Sequence, residues 1–296
     1  VTSANPCIVV RPVEAAADVA IVDRLHLVES GEPQISVLDL GVTRGDGIFE
    51  VFGVINGHPQ AVAAHLRRLA VSAAMLDLPE LDLEAVREAV VRVASMAEQV
   101  PEFSVKVVVT RGVEGAGAAT CWVIAFGASA DFVAERTTGV KVVLLDRGYP
   151  HDIAARSPWL LAGAKTLSYA VNKAALREAA RRGADDAIFT SSDGYVLEGP
   201  SANLVARFGN RILTPAPAQG ILRGTAQGAA FEYFASASYA IGEVLLRVEQ
   251  LVDADALWLT SSGRMLVPVR ELDGRPVPVD RELTDAANSV LLARTE

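Results

Sequence analysis

Ala164-Lys165-Thr166-Leu167-Ser168-Tyr169 is the stretch on which the reading of this chain turns, with Asp193-Gly194-Tyr195-Val196-Leu197-Glu198-Gly199 one supersecondary unit later. Lysine is scarce: positive charge sits mostly on arginine, leaving Lys106, Lys141, Lys165 and Lys173. Arginine stays charged, whereas lysine can shed a proton and attack a carbonyl. Lys106 and Lys141 fall in the valine-rich runs Val105 to Val109 and Val140 to Leu145, where a lysine reads as a solvated strand position. Lys173 lies inside the helix predicted from Lys165 to Arg182, with Gly183 as its C-cap. Only Lys165 stands where an extended approach, Trp159 to Gly163, meets the predicted helix start. An amine there and a carboxylate at Glu198 suit a bound aldehyde cofactor with a basic ring nitrogen.

The bulk properties narrow the field. A chain of 296 residues is long enough for one large or two medium domains with a substantial core. Its apolar fraction of 51% is mostly Ala and Val with interspersed charge, and no apolar run reaches the ~18 residues that would cross a bilayer. A net charge of -9 and a pI near 5.1 argue against a nucleic-acid or anionic-membrane partner. Val1 to Glu14 shows no basic segment followed by an apolar core, so export is not expected and the cytoplasm is the expected location. Cys7 and Cys121 belong to no metal or disulfide pattern, and His58, His65 and His151 have no paired ligand spacing, so no metal is expected.

Periodicity lays out an α+β chain in two domains. Val19 to Val28 and Gln34 to Leu40 read as strands, and Ile48 to Ile55 runs into the hairpin turn Asn56-Gly57. Val62, Leu66, Leu69, Ala73 and Leu76 recur at helical spacing, and Asp82 is placed to cap a second helix carrying Val86, Val90 and Val93. Ser104 to Thr110 and Thr120 to Phe126 are strands around Gly112 to Gly117, a glycine-rich turn. The expected small N-terminal domain covers 1–127, an interdomain linker 128–139, and a larger C-terminal domain 140–296. In the last, Val140 to Leu145, Ala187 to Thr190 and Ala256 to Thr260 are strands, Thr225 to Ala237 is a helix, and the sheet should be barrel-like or strongly coiled.

Seven segments in order carry a resemblance: Gly45-Asp46-Gly47-Ile48-Phe49-Glu50, His65-Leu66-Arg67-Arg68-Leu69, the Lys165 segment, Glu198-Gly199-Pro200-Ser201-Ala202-Asn203, Thr214-Pro215, Gly220-Ile221-Leu222-Arg223-Gly224-Thr225, and Leu259-Thr260-Ser261-Ser262. Together they resemble the class IV, or fold-type IV, pyridoxal-phosphate enzymes: branched-chain and D-amino-acid aminotransferases and aminodeoxychorismate lyases. The resemblance implies a small N-terminal α/β sandwich domain and a larger C-terminal pseudo-barrel, pyridoxal 5'-phosphate as cofactor, and a homodimer. It implies that Lys165 forms the internal aldimine and moves the Cα proton, and that Glu198 pairs with the pyridine nitrogen. Arg68 matches the arginine that grips the cofactor phosphate. Gly224, Thr225 and Ala226 open a helix whose N-H groups would receive the same phosphate. Asn203, Tyr169, Ser261 and Ser262 complete the implied cofactor contacts, with Tyr169 near the phenolic oxygen.

Two reactions share these residues. The expected one is transamination between a small amino acid and a 2-keto acid, since Phe49-Glu50-Val51 resembles aminotransferases, whereas well-known lyases carry threonine at the position of Val51. The alternative is 4-amino-4-deoxychorismate lyase, releasing pyruvate and 4-aminobenzoate, which the pattern Arg44-Gly45-Asp46-Gly47 and Ala164 to Asn172 also resembles. A catalytically silent cofactor-binding relative is a third reading, opposed by the presence of Lys165, Glu198 and Arg68. On the substrate side, Phe49 and Gly263 are expected to line the site. No Arg-x-His pair follows Arg111, so Arg44, Arg147 and above all Arg264 are the candidates for the substrate carboxylate.

Overall fold

A computed structural model describes residues 5–16, 18–97, 100–127 and 130–295. The chain forms two compact units: Val1–Ala128 with Ala164–Tyr169 and Arg294–Glu296, and Ser129–Gly163 with Ala170–Ala293.

The first unit contains β1 (Cys7–Val10), β2 (Leu25–Val28), α1 (Leu40–Arg44), β3 (Gly47–Ile55), β4 (His58–Pro59), α2 (Val62–Met75), α3 (Leu83–Met96), β5 (Glu102–Thr110) and β6 (Thr120–Gly127). The strands make one antiparallel sheet in the order β2-β1-β6-β5-β3-β4. Apolar residues at helical spacing on α3, from Ala85 and Val86 to Ala89, Val90 and Val93, are buried against it. Asp82 caps α3 as expected, its Oδ1 accepting from the N-H groups of Glu84 and Ala85 at 3.1 Å each. Cys7 and Cys121 are free and buried on β1 and β6.

Two strand expectations are corrected here. Gln34–Leu40 is not a strand: Asp39 turns the chain by capping α1, accepting from Gly41 N at 2.8 Å. Val37 and Leu38 are therefore left exposed. Of Val19 to Val28 only Leu25–Val28 pairs, because Ile21–Arg24 forms a 3-10 turn that buries the Arg24 side chain. That guanidinium is held by Pro12 O, Glu14 O and the Asp82 carboxylate, the last at 2.7 Å.

The second unit contains α4 (Ala130–Thr138), β7 (Val140–Asp146), α5 (Ile153–Arg156), α6 (Ala170–Arg181), β8 (Asp186–Thr190), β9 (Asn203–Phe208), β10 (Arg211–Pro215), α7 (Thr225–Ser236), β11 (Ala240–Val244), β12 (Ala256–Ser261), β13 (Met265–Leu272), β14 (Arg275–Pro276) and α8 (Arg281–Leu292). Most of the stretch expected as a linker, 128–139, is helix α4; residues 128 and 129 lie outside the described residues. The mixed sheet runs β11-β10-β9-β12-β13-β7-β8, with β14 on β13. Alternate residues of four strands, Leu204 and Ala206, Leu257 and Leu259, Val267 and Val269, Val140 and Val142, meet in one core around which the sheet curls. On the opposite face Trp258 packs against Phe234 of α7 and donates to Thr284 Oγ1 of α8 at 2.8 Å. Among the described residues no helix is long and apolar enough to cross a membrane.

Replacing Asp82 by Ala removes a cap and strands the buried Arg24 charge, so urea unfolding should show a loss of about 3–5 kcal/mol. Asp82→Asn keeps most of the capping and should fall between, dividing the two contributions.

Candidate active site

Lys165 does not open a helix. Within Ala164–Tyr169, Lys165–Leu167 instead lies against β3: Phe49 N donates to Lys165 O at 3.1 Å, Leu167 N to Gly47 O at 2.8 Å, and Thr166 bridges Ile48. The helix α6 starts only at Ala170. An early helical turn would forfeit these inter-segment bonds, and the buried strand edge would lose its partners. Close approach is possible because residue 47 is glycine; a Cβ there would lie 2.6 Å from Val109 O and 2.8 Å from Leu167 Cδ1. Lys165 N also donates to Ser72 Oγ of α2 at 3.1 Å.

The Lys165 amine is thereby set over an aromatic face. Nζ lies 4.6 Å from the centroid of the Phe49 ring, and Tyr169 meets that ring edge-on at 5.4 Å. Lys106, read from sequence as a solvated strand lysine, is corrected: it is half-buried with Nζ 4.8 Å from the same ring. In the β3/β5 register Phe49 faces Val108, so Lys106 is its diagonal neighbour on one sheet face. That signal was out of reach without the pairing register.

Arg68 is oriented by a residue the sequence reading left without a role. Glu50 is fully buried and takes Arg68 Nε and Nη2 at 2.7 Å each, a two-bond fork, while His65 Nδ1 reaches its Oε2 at 2.6 Å. Burial alone would raise the Glu50 pKa, but the hydrogen bonds and charge of Arg68, aided by His65, outweigh it and hold the carboxyl at about 2. Burial pushes the His65 pKa down, against the pull of Glu50 and with the help of the Arg68 and Lys165 charges. His65 is then neutral and donates to the ionised carboxylate. Arg44, by contrast, ends α1 exposed.

In the second unit the remaining candidates gather around the start of α7. Glu198 is half-buried; its Oε2 accepts from Leu222 N at 3.1 Å and from Asn203 Nδ2 at 3.3 Å, and Asn203 Nδ2 also donates to Leu222 O at 2.7 Å. Gly224 is the N-cap of α7 and, as a glycine, brings no side chain of its own to that helix start. A Cβ on Gly224 would lie 2.1 Å from Asn203 Oδ1. Thr225 Oγ1 stands 3.2 Å from Ser262 Oγ, while Ala226 is buried in the first turn. Ser261 ends β12, and Ser262, Gly263 and Arg264 form the turn into β13.

Arg264, expected to hold a substrate carboxylate, is buried, with its guanidinium ion-paired to Asp186 and to Glu135. A buried cation needs such anions, and they account for its charge. Arg147 lies over the Phe189 ring at 5.4 Å.

The Glu50 pair makes stability pH-dependent. A carboxylate whose pKa drops from 4.5 to about 2 on folding contributes fully above pH 4.5 and loses its contribution as pH falls toward 2. Over that window the loss should be roughly 3 kcal/mol. Glu50→Gln should be less stable at neutral pH and show a flatter acid profile in denaturant titrations at stepped pH.

The model of the family described as amino-transferase class IV matches residues 47–272. A curated Mycobacterium tuberculosis protein named bifunctional aminodeoxychorismate lyase / D-amino acid transaminase is 44% identical over 88% of this chain and 96% of its own. The solved structure of a fold IV-transaminase from Curtobacterium pusillum superposes with a TM-score of 0.94 at 48% identity, covering 98% of both chains. A hypothetical aminotransferase from Mycobacterium tuberculosis, solved with alpha-ketoglutarate and PMP bound, gives 0.85 at 41% identity, covering 97% of this chain and 100% of its own. With the family model spanning well over half its length, this chain belongs to the class IV aminotransferase family, and its fold is that of the fold-type IV transaminases.

Proposed function

We propose that the chain is a pyridoxal-phosphate-dependent aminotransferase that moves an amino group from a small amino acid to a 2-keto acid, with Lys165 as its catalytic residue. The observation that carries this is the pairing of Lys165–Leu167 with β3, which pins the backbone at Lys165 and sets the amine on the Phe49 face. The second unit supplies groups that fit the cofactor. Gly224 leaves no side chain at the N-cap of α7, and the Thr225 and Ser262 hydroxyls stand together at that helix start, groups suited to an anion. Glu198 is a half-buried carboxylate suited to a protonated ring nitrogen.

When bound, pyridoxal phosphate supplies an electron sink for the charge left at the substrate Cα. Lys165 takes the Cα proton and returns it, a task for an amine held within reach on a rigid segment. Glu198 keeps the pyridine nitrogen protonated, assisted by Asn203. Arg68, with its plane set by Glu50, would be a ligand for the phosphate, as would Gly224, Thr225, Ala226, Ser261 and Ser262. Tyr169 stands beside Lys165 for the phenolic oxygen. Lys106, on the same ring as Lys165, brings a second cation to the face where a carboxylate substrate would lie. We extend the reading to a homodimer, as the family resemblance implies, and to the cytoplasm as its location.

The second reading, loss of pyruvate from 4-amino-4-deoxychorismate, is favoured by the 44% identical relative, whose name carries both activities. An absorption spectrum of the cofactor-loaded protein, taken before and after D- and L-amino acids without keto acid, tests transamination, and pyruvate release from 4-amino-4-deoxychorismate tests the lyase reaction. Conversion to the amine form of the cofactor by one of the amino acids establishes transamination and identifies the donor; pyruvate release with a spectrum that none converts moves the assignment to the lyase.

Lys165→Ala should abolish turnover while the protein stays folded by circular dichroism, and full residual activity would overturn the assignment. Gly224→Ala should weaken cofactor retention in equilibrium dialysis, since the added methyl must displace Asn203 from Glu198.

A further inference from the structure

We infer that Arg136 of α4 is a positioning residue that splints the Ser261–Arg264 turn, and that Arg264 serves the same hold rather than a substrate carboxylate. This rests on the reading above that the turn, through Ser262, helps to receive the cofactor phosphate. Phe132, Glu135 and Arg136 occur at i, i+3 and i+4, so they share one face of α4. All three address the turn. Arg136 Nε donates to Arg264 O at 2.8 Å and Nη2 to Gly263 O at 3.0 Å, gripping two successive carbonyls. Glu135 pairs with Arg264 Nε at 3.0 Å, while the Arg264 guanidinium also meets Asp186 and lies 5.1 Å over the Phe132 ring. Phe132 packs on Gly263 so closely that a Cβ there would come within 3.0 Å of its ring.

The physical consequence is a turn whose peptide planes are set from outside the hairpin. A planar guanidinium donates along fixed directions, so two carbonyls bound to one fork cannot rotate independently. Arg136 is buried, which keeps water from competing for those carbonyls. Fixing the planes around residues 263 and 264 fixes the neighbouring Ser262, whose hydroxyl is 3.2 Å from Thr225 Oγ1 at the start of α7. Through the carbonyls of Gly263 and Arg264, Arg136 acts on the turn that carries Ser262.

The test uses full-length holoprotein carrying Arg136→Met, Arg136→Lys or Ser262→Ala, with two readouts: cofactor retention in equilibrium dialysis against pyridoxal phosphate, and the 31P resonance of the bound phosphate. Arg136→Met should weaken retention on the order of tenfold, for two lost charge-assisted bonds, and shift the resonance. Arg136→Lys, which can still supply one donor, should shift it less, and it decides the matter if the methionine variant fails to fold. Ser262→Ala should weaken retention by itself. An unmoved resonance and unchanged retention in the arginine variants, with Ser262→Ala impaired, would overturn the splint and leave the phosphate reading standing. Wild-type behaviour of Ser262→Ala would remove the phosphate reading and this inference with it.

Discussion

The backbone pairing of Lys165–Leu167 with β3 is the constraint on which the candidate site depends. A ladder fixes side-chain direction with a period of two, so a slip of one residue would carry Lys165 to the other face. The pairing is bracketed at both ends, by Leu167 N on Gly47 O and by Phe49 N on Lys165 O, with Ser72 holding Lys165 N from α2. The Lys165 amine therefore owes its place to a strand edge and a glycine, not to the helix that follows it.

Both units fix an arginine with a buried carboxylate. In the first, Glu50 commits two nitrogens of Arg68 and recruits His65 in its neutral form. In the second, Arg264 is neutralised by Asp186 and Glu135. An arginine picked out by motif thus turns out to be an oriented group or a strut according to its anion. The partner decides the role, and the partner lies far away in sequence.

That distance separates what was legible from what was not. The helices carrying Leu66 and Leu69, and Val86 and Val90, were readable because their periodicity is local, as were the Asp82 cap and the Asn56-Gly57 turn. Val37 and Leu38 misled because an apolar run looks like a strand until Asp39 turns it. Lys165 looked like a helix start since Ala170 to Arg181 does form one, and nothing nearby in sequence announces β3 as its partner. Lys106 was missed for the same reason: its place beside Phe49 is a fact of cross-strand register. The motif segments around Gly224 and Ser262 were legible as a set, but α4 was hidden in a stretch without evident periodicity.

The two cysteines have a practical consequence. Cys7 and Cys121 are sealed within the first sheet, and burial pushes both thiols up, so neither offers thiolate to a reagent at neutral pH. The unmodified chain is therefore a silent background for maleimide chemistry. One cysteine introduced at an exposed position such as Trp159 would be a unique handle for a dye or spin label, with no need to strip the native sulfurs first.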